Sequence, residues 1–403
     1  MSLLSVEEAH KRLLDGIGPV GTEVVPLAEA NGRFLAEDVY SLRTQPPFDA
    51  SAMDGYAVRA HDLSKVPTTL QVIGEAAAGH GFDGTVNPGE AVRIFTGAPL
   101  PDGADAILIQ EKTRPGETLD TVTALSSVPV DEYIRPAGLD FALGQKLLTR
   151  GRRLGYRELA LAAAMNHDTL RVAKRPKVAF LATGDELVPP GDEPGPFQIV
   201  ASNGFALGAM LADLGAEPID LGIAPDAADV IADKARSAID GGAHVLVTLG
   251  GASVGDHDMV QTALGDIGFE LGFWRIAMVP GKPLISGHIG PMRVLGLPGN
   301  PVSSIVCALL FLHPLVRALQ GASEVHSREE TAVLGDPVAE NGERQAYMRA
   351  RLSFSRSGHV VATPVSLQDS SLLATLSGAD ALVIRPPHAP AAEVGSPCRI
   401  IRL

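Results

Sequence analysis

Residues 244–259 read HVLVTLGGASVGDHDM, and the parsing of this stretch decides the architecture. The apolar run Val245-Leu246-Val247 stops at Gly250, Gly251 and Ser253. A strand that ends in glycines and a serine delivers backbone N–H groups to an anion. Asp256 and Asp258 follow at once, so a turn shaped to hold negative charge is trailed by more of it. A divalent cation resolves the contradiction, because Mg2+ takes one or two protein carboxylates together with phosphate oxygens.

Outward from this stretch, residues 176–320 alternate strands and helices. KVAFLATGDEL at 177–187 opens the series, a helix is expected near 203–214, and EPIDLGI at 217–223 reads as the next strand. Over 226–240, Ala227, Val230, Ile231, Ala235, Ala238 and Ile239 share one helical face, while Asp229, Asp233, Arg236 and Asp240 share the other. Two further strands and the turn in RVLGLPGNP lead into an apolar helix over 302–319. A βαβ series of this kind predicts a mostly parallel sheet covered by helices, with ligands at the carboxyl ends of the strands.

Three of the strands end in glycine-containing turns: LATGDEL at 181–187, TLGGASVGD at 248–256 and LGLPGNPVSS at 295–304. On one sheet edge, Gly184, Gly250, Gly251 and Gly299 bring backbone donors around a common ligand. Taken singly, each glycine also suits an ordinary tight turn, and Asn300 or Ser303 an ordinary helix cap. Together they point to a phosphate-bearing ligand, beside the carboxylates Asp185, Glu186, Asp256 and Asp258. The α/β region carries neither G-x-G-x-x-G nor G-x-x-x-x-G-K-[ST], which argues against dinucleotide and P-loop chemistry.

The remaining chain has other textures. From about 328 onward QAYMRARLSF alternates, with Ala346, Met348, Ala350 and Leu352 on one side, and HVVATPV and PCRIIRL read as short strands of a small β domain. Residues 48–138 are β-rich and Gly/Pro-punctuated, while 21–42 and 140–173 share a texture and pair into one discontinuous unit. The boundaries expected are 1–20 with 174–327, 21–47 with 139–173, 48–138 and 328–403. A chain of 403 residues is too long for one ordinary core.

A formal charge of −14 argues against general nucleic-acid or anionic-membrane binding, which relies on clustered Lys and Arg. Cys307 and Cys398 form no C-x-x-C pair and read as reduced thiols. The first 15 residues look like an ordinary helix with Ser5 and Glu8 as a capping box rather than a secretory signal. The longest fully apolar run, 305–312, is far shorter than the roughly 20 residues that span a bilayer. The chain is expected in the cytoplasm.

Six stretches carry a resemblance: FDASAMDGYAV (48–58), RIFTGAPLPDGAD (93–105), ATGDEL (182–187), GGASVGDHD (250–258), PGKP (280–283) and LPGNPVSS (297–304). In this order they resemble the signature motifs of the molybdenum insertases of molybdenum-cofactor biosynthesis, the family that includes the C-terminal domain of gephyrin. The resemblance covers essentially the whole chain. It implies a central three-layer α/β molybdopterin-binding domain, a β-rich second domain, a small C-terminal β-barrel and a discontinuous linking and dimerisation domain. It further implies a homodimeric enzyme that takes adenylylated molybdopterin and molybdate, cleaves the pyrophosphate with Mg2+, inserts the metal and releases AMP. Molybdopterin adenylyltransferase and cofactor-receiving enzymes are the implied partners.

Residue by residue, the resemblance gives catalytic roles to Asp54, Thr96, Asp185, Glu186, Asp258 and Lys282, with Asp54 and Thr96 reaching the α/β edge of the other subunit. Glu186, Asp256 and Asp258 are the implied metal ligands. Gly250, Gly251, Ser253, Gly281, Pro298, Gly299, Asn300, Pro301 and Ser303 form the implied pterin and phosphate cradle. Plainer readings stand beside these: an Asx-turn for Asp54, a cap on Gly97 for Thr96, helix N-caps for Asp185 and Glu186, a solvated turn for Lys282. Asp226 matches a family aspartate, but before a clear helix it reads more strongly as a cap. Ala50, Leu139, Ala201 and Val279 depart from the pattern; where Val279 stands the family often has Lys or Arg, so molybdate binding is expected to be weaker. Two other functions fit less of the chain. A divergent paralogue would bind molybdopterin for assembly or delivery without efficient insertion, and a nucleotide pyrophosphatase would leave the motifs at 48–58 and 93–105 unexplained.

Overall fold

The computed structural model describes residues 3–251 and 259–403. Its largest sheet runs in the order Glu217–Ala224, Lys177–Thr183, Val245–Leu249, Met292–Leu297, Ile285–Ile289, Phe269–Trp274. The first four strands are parallel, and the last two add antiparallel pairings at one side. Strand alternation divides the core into layers. Val178, Phe180, Val245 and Val247 face one way, onto the helices Asn203–Asp213 and Pro301–Leu319. Ala179, Leu181 and Leu246 face the other way, onto Ala228–Asp240 and Met259–Gly265. The result is helix, sheet, helix.

Helix Pro301–Leu319 is apolar and long enough to cross a membrane, and 72% of its apolar window is buried inside the protein. Pro301 occupies its first turn, where a missing N–H costs nothing. Pro314 lies further along and has no N–H for the carbonyl of Leu310; the helix widens into a π turn over Ala308–Leu312. His10 Nε2 takes up the freed Leu310 oxygen at 2.7 Å. His10 belongs to the helix Val6–Leu14, whose Ser5 accepts from the Glu8 N–H at 3.1 Å. The expected capping box is half made, because the Glu8 carboxylate turns away to Arg12.

The C-terminal strands close on themselves. Gln345–Phe354 pairs with Val360–Pro364, that with Glu329–Leu334, then Pro397–Arg402 and Ala381–Arg385, which returns to Gln345–Phe354. This five-stranded barrel leaves no free edge. Ala350 lies in its core with Met348 and Leu352 packed alongside, as the alternation required, but Tyr347 and Arg349 on the opposite face are buried as well. Tyr347 joins the core of the α/β sheet, and Arg349, 1% exposed, is bonded by Gln368 and the Leu367 and Asp369 carbonyls. Elsewhere, Thr22–Pro26 pairs antiparallel with Thr169–Ala173 and Val39–Tyr40 with Lys146–Leu148, around a shared core of Leu35, Phe141, Leu148, Leu154 and Met165. Within 48–138 a mixed six-stranded sheet includes the strands Glu90–Ile94 and Ala106–Ile109.

Candidate active site

The three glycine turns meet at one edge because the strands end level: Ala182 is in register with Leu249, and Leu249 with Leu297. Beyond them opens a cleft of about 700 Å3. Its walls include Thr183, Gly184 and Glu186 from the first turn, Gly250 and Gly251 from the second, and Pro298, Gly299, Asn300 and Pro301 from the third. Ser202, Asn203 and Gly204 at the start of a helix, Asp226 before the next one, and Ser371 from the C-terminal region complete it.

Gly250 is required where it stands. Its φ is +105°, and a Cβ there would lie 2.7 Å from the Thr183 carbonyl oxygen. The four glycines do not all offer donors, however. Gly184 N–H is spent on the Ala224 carbonyl and Gly250 N–H on Leu297, continuing the sheet past its last residues. Among the described residues, the N–H groups of Gly251 and Gly299 have no partner and remain for a ligand. Asn300 precedes the helix without capping it through its side chain, which donates to Ser370 Oγ at 2.9 Å.

The acids are arranged differently from a set of caps. Asp185 and Glu186 lead into a short strand, Leu187–Val188, and cap no helix. Asp185 Oδ1 accepts the Asp226 N–H at 3.0 Å. Asp226 does not cap either: its helix starts from Ala227 with no side-chain cap. The Asp226 carboxyl is instead held above the usual carboxylate range, first by burial and then by the charges of Asp185 and Glu186. Among the described residues, no Lys, Arg or His lines the cleft. Thr183, 4% exposed, keeps a hydroxyl with no partner among the described residues. Asn203 donates to the Gly299 carbonyl at 2.8 Å and leaves its Oδ1 buried, with no partner among the described residues.

Other expected site residues lie elsewhere. Lys282 lines a second cavity of about 370 Å3 with Val279, Asn341, Glu343 and Arg344, whereas its neighbour Pro283 lines the main cleft. Gly281 packs on Cys307, whose thiol is raised by full burial, and Ser303 is 5% exposed and off the cleft walls. Asp54 and Thr96 belong to the mixed sheet region. Asp54 Oδ1 accepts both the N–H and the hydroxyl of Thr96 at 2.8 Å, which replaces the Asx-turn and Gly97-cap readings. The Thr96 N–H, then its hydroxyl, keep the Asp54 carboxyl below its ordinary range. Ser253, Asp256 and Asp258 lie outside the described residues.

Three family descriptions tile the chain: "MoeA N-terminal region (domain I and II)" over 4–166, "Probable molybdopterin binding domain" over 179–318, and "MoeA C-terminal region (domain IV)" over 331–403. A molybdopterin molybdenumtransferase of Nostoc sp. is 36% identical over 91% of this chain and 89% of its own length. The chain belongs to the molybdopterin molybdenumtransferase (MoeA) family. A member from Haemophilus influenzae is 38% identical over 80% of this chain and 79% of its own. A molybdopterin biosynthesis MoeA protein from Pyrococcus horikoshii OT3 superposes with a TM-score of 0.86 at 28% identity, covering 100% of both chains. In this MoeA family member, Thr183, Asn203 and Ser371 are cleft residues that sequence reasoning missed. Asn203 opens a helix and reads as an ordinary cap residue, and nothing local to Ser371 ties it to a turn 70 residues earlier.

Proposed function

We propose that this chain inserts molybdenum into adenylylated molybdopterin, with Mg2+-dependent cleavage of the phosphoanhydride and release of AMP. The observation that carries the proposal is the pairing, on one sheet edge, of the unspent Gly251 and Gly299 N–H groups with the crowded carboxylates Glu186 and Asp226. The N–H groups suit phosphate oxygens, and the acids alone would repel them. Mg2+ fits this donor set: its oxygens are hard, the Asp226 carboxyl is raised by burial and then by the charges of Asp185 and Glu186, which a divalent cation offsets, and among the described residues no basic side chain lines the walls. Among the described residues no group of three His, Cys, Asp or Glu makes a ready metal cage, and Mg2+ needs none when substrate phosphates supply ligands. Glu186 and Asp226, with Asp256 and Asp258 from the family motif, would hold it; when bound, it withdraws charge from the bridging phosphate oxygens.

In this reading the cleft residues bind and orient. Gly251 and Gly299 hold phosphate, Thr183 and the free Asn203 oxygen take polar groups of the substrate, and Lys282 with Arg344 attracts molybdate from the adjoining cavity. Water adds to the phosphorus, the P–O–P bridge breaks, AMP leaves and the phosphate stays on the pterin. Asp54 and Thr96 act across a homodimer interface on the partner's cleft, with the linking segments 21–47 and 139–173 as the dimerisation unit. The enzyme works in the cytoplasm, receives substrate from molybdopterin adenylyltransferase and passes product to cofactor-dependent enzymes. The test is AMP release from adenylylated molybdopterin and molybdate, with Mg2+ or with a chelator. Release that survives chelation refutes the role of the metal, and binding without release favours the delivery reading.

A further inference from the structure

The helix Asn203–Asp213 and the helix Pro301–Leu319 both begin at the cleft, and they are tied together at both ends. At the cleft, Asn203 Nδ2 holds the Gly299 carbonyl at 2.8 Å. Roughly 16 Å away, at 1.5 Å per residue, Gln320 follows the last turn of the second helix and donates from Nε2 to the Leu214 carbonyl at 2.9 Å. Gln320 is 4% exposed, and its Oε1 has no partner among the described residues, so this single bond orients the side chain.

The carbonyls on either side are held from outside the helix pair. Arg153 donates to the Asp213 carbonyl at 3.2 Å, and Arg175 to that of Gly215 at 3.3 Å. Arg153 comes from the two-segment unit, where it bridges Phe34; Arg175 lies between that unit and the first strand of the α/β sheet. Three successive carbonyls at one helix C-terminus are thus met by three donors from three places, each oriented favourably to the helix dipole. Gly215 lies at this joint with a φ of +75°, and a Cβ there would be in ordinary contact with Gln320 Nε2 at 3.5 Å and the Gly32 carbonyl oxygen at 3.6 Å.

We propose that Gln320 and Arg153 are positioning residues for the cleft: through the paired helices they fix where Asn203 and Gly299 present themselves to the substrate. The inference rests on the cleft reading given above. Two packed helices tied at both ends move as one body, so releasing the distal tie loosens the proximal one.

The test is hydrogen exchange across the whole chain in Gln320→Leu and Arg153→Ala, with AMP-release kinetics alongside. Exchange is expected to quicken about fivefold over 202–206 and 299–303, and to stay unchanged in the strands Lys177–Thr183 and Val245–Leu249. The KM for adenylylated molybdopterin should rise about fivefold with kcat within about twofold. Asn203→Ala should reproduce the KM change, and adding Gln320→Leu to it should bring little more. Faster exchange confined to 211–216 and 319–323, or KM effects that multiply, would overturn the proposal. Should Gln320→Leu not fold, Arg153→Ala, at an exposed position, carries the same test. A wild-type chain that releases no AMP removes the cleft reading, whereas the exchange pattern judges the helix coupling by itself.

Discussion

Asp226→Asn separates a metal-holding acid from a helix cap. In the wild type the Asp226 carboxyl is raised by burial and by the charges of Asp185 and Glu186, so ionising it opposes folding. The sign follows from linkage: the folded state holds this proton more tightly than the unfolded state, so the group lowers stability as pH rises above its unfolded pKa near 4. Carboxylate repulsion at an effective dielectric of about 20, reduced for the open side of the cleft, amounts to about 1 kcal/mol. Removing it should raise the metal-free melting temperature by about 2–4 °C for a domain of this size. The gain should vanish below about pH 4, where the wild type is protonated. Magnesium should stabilise the wild type and not the variant, and the variant should lose AMP release. Differential scanning fluorimetry across pH and Mg2+ concentration, with AMP assayed in parallel, measures all three. A variant that melts lower and turns over normally refutes the reasoning, because a lost cap does that at a cost of about 0.5–2 kcal/mol.

Other outcomes follow from the same geometry. Gly250→Ala combines a left-handed φ with a clash on the Thr183 carbonyl and should cost about 2–4 kcal/mol, read by denaturant titration. Burial lowers the pKa of His10 and of His313 to about 4, so both are neutral in the fold; stability should be full above about pH 6.5 and fall as pH drops towards 4. His10→Ala strands the Leu310 carbonyl left without a donor by Pro314; it should flatten part of that pH slope and cost about 1–3 kcal/mol by thermal melting. Lys282→Ala should raise the molybdate concentration needed for half-maximal AMP release, and Val279→Lys should lower it; silence in both would take molybdate out of the cavity they share.

Much of this site could be read from sequence because strand ends announce themselves. Apolar runs stopping at Gly184, Gly250 and Pro298 gave three turns, and a parallel sheet has only one carboxyl edge on which to place them. What sequence could not show is how each group is spent. Gly184 and Gly250 donate to neighbouring strands because the ladder runs one residue past the strands, a fact of register alone. Asp226 looked like a cap because it precedes a helix, yet its carboxyl answers to burial and then to the charges of Asp185 and Glu186, some 40 residues earlier. Lys282 and Pro283 are adjacent in sequence and line different cavities, which no local pattern foretells. Alternation along 345–354 marked one apolar side, yet the α/β core also covers Tyr347 on the other, and only tertiary packing reveals such a cover.

The central claim is that the edge formed by the three turns is an insertase site, and Glu186 tests it most directly. Purified chain is given adenylylated molybdopterin, molybdate and Mg2+, and AMP is measured over one turnover for the wild type and for Glu186→Gln. The expected result is molybdate-responsive AMP release by the wild type and none by the variant, with the melting temperature of the variant within about 3 °C, equivalent to about 1 kcal/mol. Wild-type chain that binds the pterin without releasing AMP, or a Glu186→Gln variant that releases it at the wild-type rate, would contradict the account.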